Sequence, residues 1–179
     1  MLTPVGELQA ATRTAGEQRE YERTQVADHY EHRPNVFKLV LDSALTYPTG
    51  IFLSPHEDLE TAQQRKFEYI RRLLDLRDGE KMLDVGGGWG SNLLYLTAHT
   101  QAEFHGITLS GQQRGELLAR ARERGLEDRL RVDICHLDEL ALPDESVDAV
   151  LFSGSIVHMH NRRGFTNWWP ESCGRAAEW

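Results

Sequence analysis

A chain of 179 residues with 40% apolar and 27% charged side chains has room for one domain with a real core. Its net charge of −8, with Lys and Arg spread singly along the chain, argues against nucleic acid as the main partner. No apolar run approaches the ~18 residues of a bilayer span, Met1 opens no leader pattern, and Cys135 and Cys173 form neither a metal spacing nor a disulfide framework, so the reading is cytoplasmic and metal-free.

Residues 1–27 are polar and predict a frayed or swung-out N-terminal helix. Aromatic and aliphatic residues return from Ala27 to Phe52, among them Tyr30, Phe37, Leu45 and Tyr47. Asp58 or Thr61 caps a helix that reaches Leu76, with Leu59, Ala62, Lys66, Ile70, Leu73 and Leu74 at helical spacing. A helical cap over residues 28–78 follows. Arg77–Glu80 turns into a first strand, whose apolar pair Met82-Leu83 ends in Asp84. Glycines at 86, 88 and 90 come next, then a helical run from Ser91 to His99. Ala102–Leu109, Leu130–Cys135 and Ser146–Ser153 read as further strands. Between the second and third, Gly111–Arg124 is an amphipathic helix with Leu117, Leu118 and Ala121 on one face. Strands alternating with helices predict an α/β fold with a Rossmann-like parallel sheet of about four strands over residues 79–165.

The glycine turn carries chemistry. Glycines there let the main chain approach a ligand, and the helix behind them offers free N–H groups to a carboxylate or phosphate. Asp84 at the strand end favours a cationic partner, which a dinucleotide does not supply. Asp-x-Gly-x-Gly-x-Gly over residues 84–90 therefore looks like the nucleotide loop of S-adenosylmethionine-dependent methyltransferases. Trp89 reads as core or as a cofactor contact, and Asp144 and Glu145 as turn residues.

The order of motifs resembles one family, the cyclopropane fatty acid synthases and mycolic acid methyltransferases. The resemblance runs from about residue 27 to 160. It rests on His29-Tyr30, Asn35-x-Phe37, Leu41-Asp42, Leu45-Thr-Tyr47 and Asp58-Leu-Glu-x-Ala-Gln63 with Lys66, then on the loop Asp84–Gly90 and on Gly106-Ile-Thr-Leu-Ser110 with Gln113. It implies S-adenosylmethionine as cofactor, with Tyr30 touching its aminoacyl end, Gly86 and Gly88 cradling it, and Thr108, Ser110 and Gln113 by the ribose; Asp84 and Trp89 are further candidate cofactor contacts read from the loop itself. Asp138 is then the contact to the adenine amine, since His136 stands where an acid is common. Two departures speak against cyclopropanation: Thr49 replaces a Cys and Val157 a Glu of the bicarbonate site. His158, after the fourth strand, is the candidate general base.

The reading is a methyltransferase acting on a small natural-product or lipid-like acceptor. Only 26 residues follow Ser153, and Trp168, Trp169 and Trp179 fall in an atypical tail over 166–179. A sheet truncated there leaves the fourth strand an unpaired apolar edge, which predicts a homo-oligomer or a complementary partner chain. A non-catalytic or partner-dependent subunit and an inactive truncated product are the alternatives.

Overall fold

The computed structural model describes residues 13–31, 34–143, 146–156, 159 and 175–178. Helices α1 (Ala15–Glu31), α2 (Pro34–Val40) and α3 (Leu59–Leu74) precede the sheet. Strand β1 (Lys81–Val85), helix α4 (Ser91–His99), β2 (Glu103–Thr108), α5 (Gly111–Glu123), β3 (Leu130–Ile134), β4 (Ala149–Phe152) and β5 (Arg175–Glu178) follow. Short 3-10 turns at Glu127–Arg129 and Leu137–Glu139 flank β3. The strands are all parallel, in the order β3-β2-β1-β4-β5.

Strand parity sorts the core into two layers. Met82 of β1 and Ala149 and Leu151 of β4 join Ile70, Leu74, Leu93, Leu96, Leu117 and Ala121 beneath α3, α4 and α5. Leu83, Val85, Val150 and Phe152 point the other way, against Ile107, Leu137 and Val147. Helix α3 is fixed at its start by Asp58, whose carboxylate accepts from Thr61 N at 2.8 Å. It ends at Leu74, two residues short of the expected Leu76, with Asp75 capping it in a left-handed conformation.

Helix α3 also holds a strap over residues 46–51 by its carbonyls. Gln63 Nε2 donates to Pro48 O at 2.8 Å, the buried Lys66 Nζ donates to the same oxygen at 3.3 Å, and Ile51 N donates to Ala62 O at 3.0 Å. Gly50 is required where strap meets helix, because a Cβ there would lie 2.9 Å from Ala62.

Two expectations are corrected. The N-terminal helix is not swung out: from Ala15 it lies against the body, where Arg23 pairs with Glu139 and Glu22 Oε2 meets His136 Nε2 at 2.8 Å. Nor is the β4 edge bare, because β5 pairs with it over four registered positions, Ala149 with Arg175 through Phe152 with Glu178. Parallel pairing is made by main-chain groups, so a segment of unremarkable side chains satisfies an edge as well as an apolar one does. Among the described residues no helix is long and apolar enough to cross a membrane.

Candidate functional site

A cavity of about 560 Å3 opens at the C-terminal ends of β1, β2, β3 and β4. In a parallel α/β sheet this is where ligands bind. Strand β1 contributes Val85 and the glycine turn, β2 contributes Ile107 and Thr108, β3 is followed by Cys135 and His136, and β4 by Ser153 to Ser155. Glu22, Val26 and Tyr30 of α1 roof it, and Tyr47, Pro48 and Thr49 of the strap close one side.

The turn is tied down by one acceptor: Gly86 N and Gly87 N both donate to Ile107 O, each at 3.0 Å. Gly86 has φ +75°, and a Cβ on it would stand 2.4 Å from Cβ of Ser155. The neighbour excluding a side chain is therefore the 153–155 segment, whose Ser155 hydroxyl donates to Val85 O, rather than a ligand group. Gly90 (φ +82°) is crowded from the other side, since a Cβ would fall 2.0 Å from Leu117 Cδ1. It precedes α4 and gives that helix no side-chain cap.

Asp84 is fully buried, and both carboxylate oxygens lack a hydrogen-bond partner among the described residues. Burial alone pushes its carboxyl from 3.8 up to about 7. It does not line the cavity. By strand parity it sits on the face of Met82, under the turn, 3.1 Å from where a Gly87 Cβ would be.

Of the residues singled out from the sequence, Tyr30, Gly86, Gly88, Trp89, Thr108 and Gln113 line the cavity together. Trp89 packs among Tyr30 and Phe37 with ring centroids at 6.1 and 5.7 Å, and burial pushes the Tyr30 hydroxyl up to about 12. The Thr108 hydroxyl donates to Gln113 Oε1 at 2.7 Å, which fixes the amide of Gln113 at the end of β2. Ser110 is not in the lining: it is fully buried and caps α5, its Oγ accepting from Gln113 N at 3.3 Å. Asp138 is exposed and also outside the lining. His136 lines the cavity instead: Asp138 N donates to His136 Nδ1 at 3.2 Å, and that turn directs the imidazole inward. His158 and Val157 lie outside the described residues, and Thr49 lines the cavity.

Three participants were not anticipated. Glu22 and His136 meet across the roof, 114 positions apart, and local spacing carries no trace of such a pair. Arg120, buried on α5, donates from Nη1 to Ala44 O at 2.9 Å and Trp89 O at 3.4 Å, so it joins the helical cap to the turn. A cation among the apolar positions of an amphipathic helix was the available signal.

Residues 17–170 match the family described as mycolic acid cyclopropane synthetase. A probable fatty acid methyltransferase of Pseudomonas putida is 35% identical over 135 residues, covering 75% of this chain and 34% of the relative. Cyclopropane mycolic acid synthase 2 of Mycobacterium tuberculosis is 33% identical over 139 residues, covering 78% of this chain and 45% of the relative. Among solved structures, a mycolic acid cyclopropane synthase complexed with SAH and CTAB superposes with a TM-score of 0.71 at 26% identity, over 79% of this chain and 48% of that one. The chain spans less than half the length of each of these relatives. The sheet and its helical layers are the Rossmann-like fold of class I S-adenosylmethionine-dependent methyltransferases. By the extent of that match, the chain belongs to the mycolic acid cyclopropane synthetase family.

Proposed function

We propose that this chain is the cofactor-binding part of an S-adenosylmethionine-dependent methyltransferase acting on a small lipid-like or natural-product acceptor. The observation that carries the reading is the buried, unpaired Asp84 carboxylate beneath a glycine turn that opens on the cavity. An anion desolvated without a partner calls for a positive charge nearby, and a sulfonium with an α-ammonium group supplies it. The mostly apolar lining, with Val26, Leu45, Trp89, Ile107 and Leu137, suits the nucleoside and thioether parts of the same ligand.

When bound, the cofactor supplies an electrophilic methyl group. The chain's own residues do the rest: the glycine turn accommodates the aminoacyl end, Thr108 and Gln113 hold the ribose, and His136 meets the adenine. Tyr30 and the roof of α1 exclude water, which keeps charged groups at the site strongly coupled. His158 is proposed to hold the proton that an acceptor hydroxyl or amine must lose. Thr49 and Val157 offer no acid or thiol for a bicarbonate, so methyl transfer rather than ring closure is the reaction proposed.

Calorimetric titration of the purified chain with S-adenosylhomocysteine should show one site. Gly86→Leu should abolish it, since the new side chain displaces Ser155 and with it one wall of the cavity. Absence of binding by the unaltered chain, or unchanged affinity in Gly86→Leu, would refute this assignment.

A further inference from the structure

Asn92 is the second residue of α4, immediately behind the glycine turn. Only 6% of its surface is exposed, it lines the cavity, and its Oδ1 is buried without a hydrogen-bond partner among the described residues. A buried amide oxygen left unpaired is costly, so a site that keeps one is built to have it satisfied by something else. Trp89, 3% exposed and three positions earlier in the same wall, likewise carries a donor, Nε1, with no partner among the described residues. Gly90 gives the first turn of α4 no side-chain cap, so no side chain takes up the N–H groups at the start of that helix.

These groups differ in sign. An unpaired amide oxygen accepts from an ammonium, while an indole N–H and the helix N-terminus favour a carboxylate. A neutral hydroxyl or an apolar chain satisfies at most one of them. A zwitterionic α-amino acid group satisfies all three.

We propose that Asn92 is a binding residue of the cavity, whose side-chain amide selects ligands carrying a charged α-amino acid end over otherwise identical ligands that lack it. The proposal rests on the methyltransferase reading above and assigns to Asn92 a selectivity that the glycine turn, having no side chains, does not supply.

The test compares two probes that share a thioether nucleoside, S-adenosylhomocysteine and 5′-methylthioadenosine, the second lacking the aminoacyl end. In Asn92→Leu the affinity for S-adenosylhomocysteine should fall between ~10- and ~100-fold, the range for losing a hydrogen bond to a charged group, with methylthioadenosine unchanged. Asn92→Ala, which adds no branch to the helix start, should show the same split should Asn92→Leu fold poorly. Equal weakening of both probes would mean that Asn92 only shapes the wall, and no weakening that the amide is not used. Either result overturns the proposal. An unaltered chain that binds methylthioadenosine but not S-adenosylhomocysteine overturns it too, yet leaves a nucleoside site standing. Failure of both probes on the unaltered chain removes the methyltransferase reading itself.

Discussion

Gly90→Ala should be among the most damaging single-methyl changes in this protein, costing about 3 kcal/mol from a left-handed backbone closed to alanine and from overpacking together. The added carbon would fall 2.0 Å from Cδ1 and 2.3 Å from Cγ of Leu117. Leu117 cannot retreat, because it is buried at the centre of the layer formed by α4, α5 and β2. A loss of that size is a large share of the ~5–15 kcal/mol that holds a typical domain together. Gly125→Ala is the matched control. It has a similar φ of +64° but nothing within 4 Å of its would-be Cβ, so it should cost only the backbone part, about 1 kcal/mol. Urea unfolding of the two variants measures the difference. Equal costs would show that packing against Leu117 is not what Gly90 protects.

The second large effect is a pH dependence. Asp84 titrates near 3.8 when unfolded but at about 7 in the fold, where burial disfavours its charge. Between those values the folded chain keeps a proton that the unfolded chain has released. Stability from this group is therefore complete below pH 4 and falls as the pH rises towards 7, by ~1.4 kcal/mol per unit and on the order of 4 kcal/mol in all. Asp84→Asn removes the titration. The variant should gain stability relative to the parent as pH goes from 5 to 8, and other carboxylates cancel in that difference. Parallel unfolding midpoints for parent and variant across this range would contradict the buried-charge account. The same variant should bind S-adenosylhomocysteine more weakly at pH 8, where the parent offers a full negative charge to the ammonium.

Much of this was legible from residues alone. Asp58 with Thr61, the glycines at 86, 88 and 90, and the aliphatic runs around Leu83, Ile107, Val132 and Val150 encode local geometry, and local geometry decides a cap, a turn or a strand. The position of Asp84 was misjudged: read from the sequence as a cofactor contact, it shares the face of Met82 by strand alternation and lies beneath the turn, outside the cavity lining. What escaped was decided by distant partners. Helix α1 has no apolar stripe, so its docking depends on charges near β3 that no window of sequence contains. Strand β5 reads Arg-Ala-Ala-Glu, a composition poor in strand formers, and gains its conformation from the ladder with β4.

The roof deserves a different measure from the floor. The floor of the cavity is glycine backbone clamped to β2, which dissolved ions scarcely touch. The roof is a polar helix held by Arg19 and Arg23 on Glu139 and by Glu22 on His136, with the Glu139 pairs more than a third exposed. At physiological ionic strength screening acts over ~8 Å, so half-exposed pairs of this kind weaken as salt rises while the floor stays put. Raising the ionic strength should therefore loosen the Glu139 pairs of the roof first, while the Glu22–His136 contact and the packing of Tyr30 on Phe37 and Trp89 stay in place.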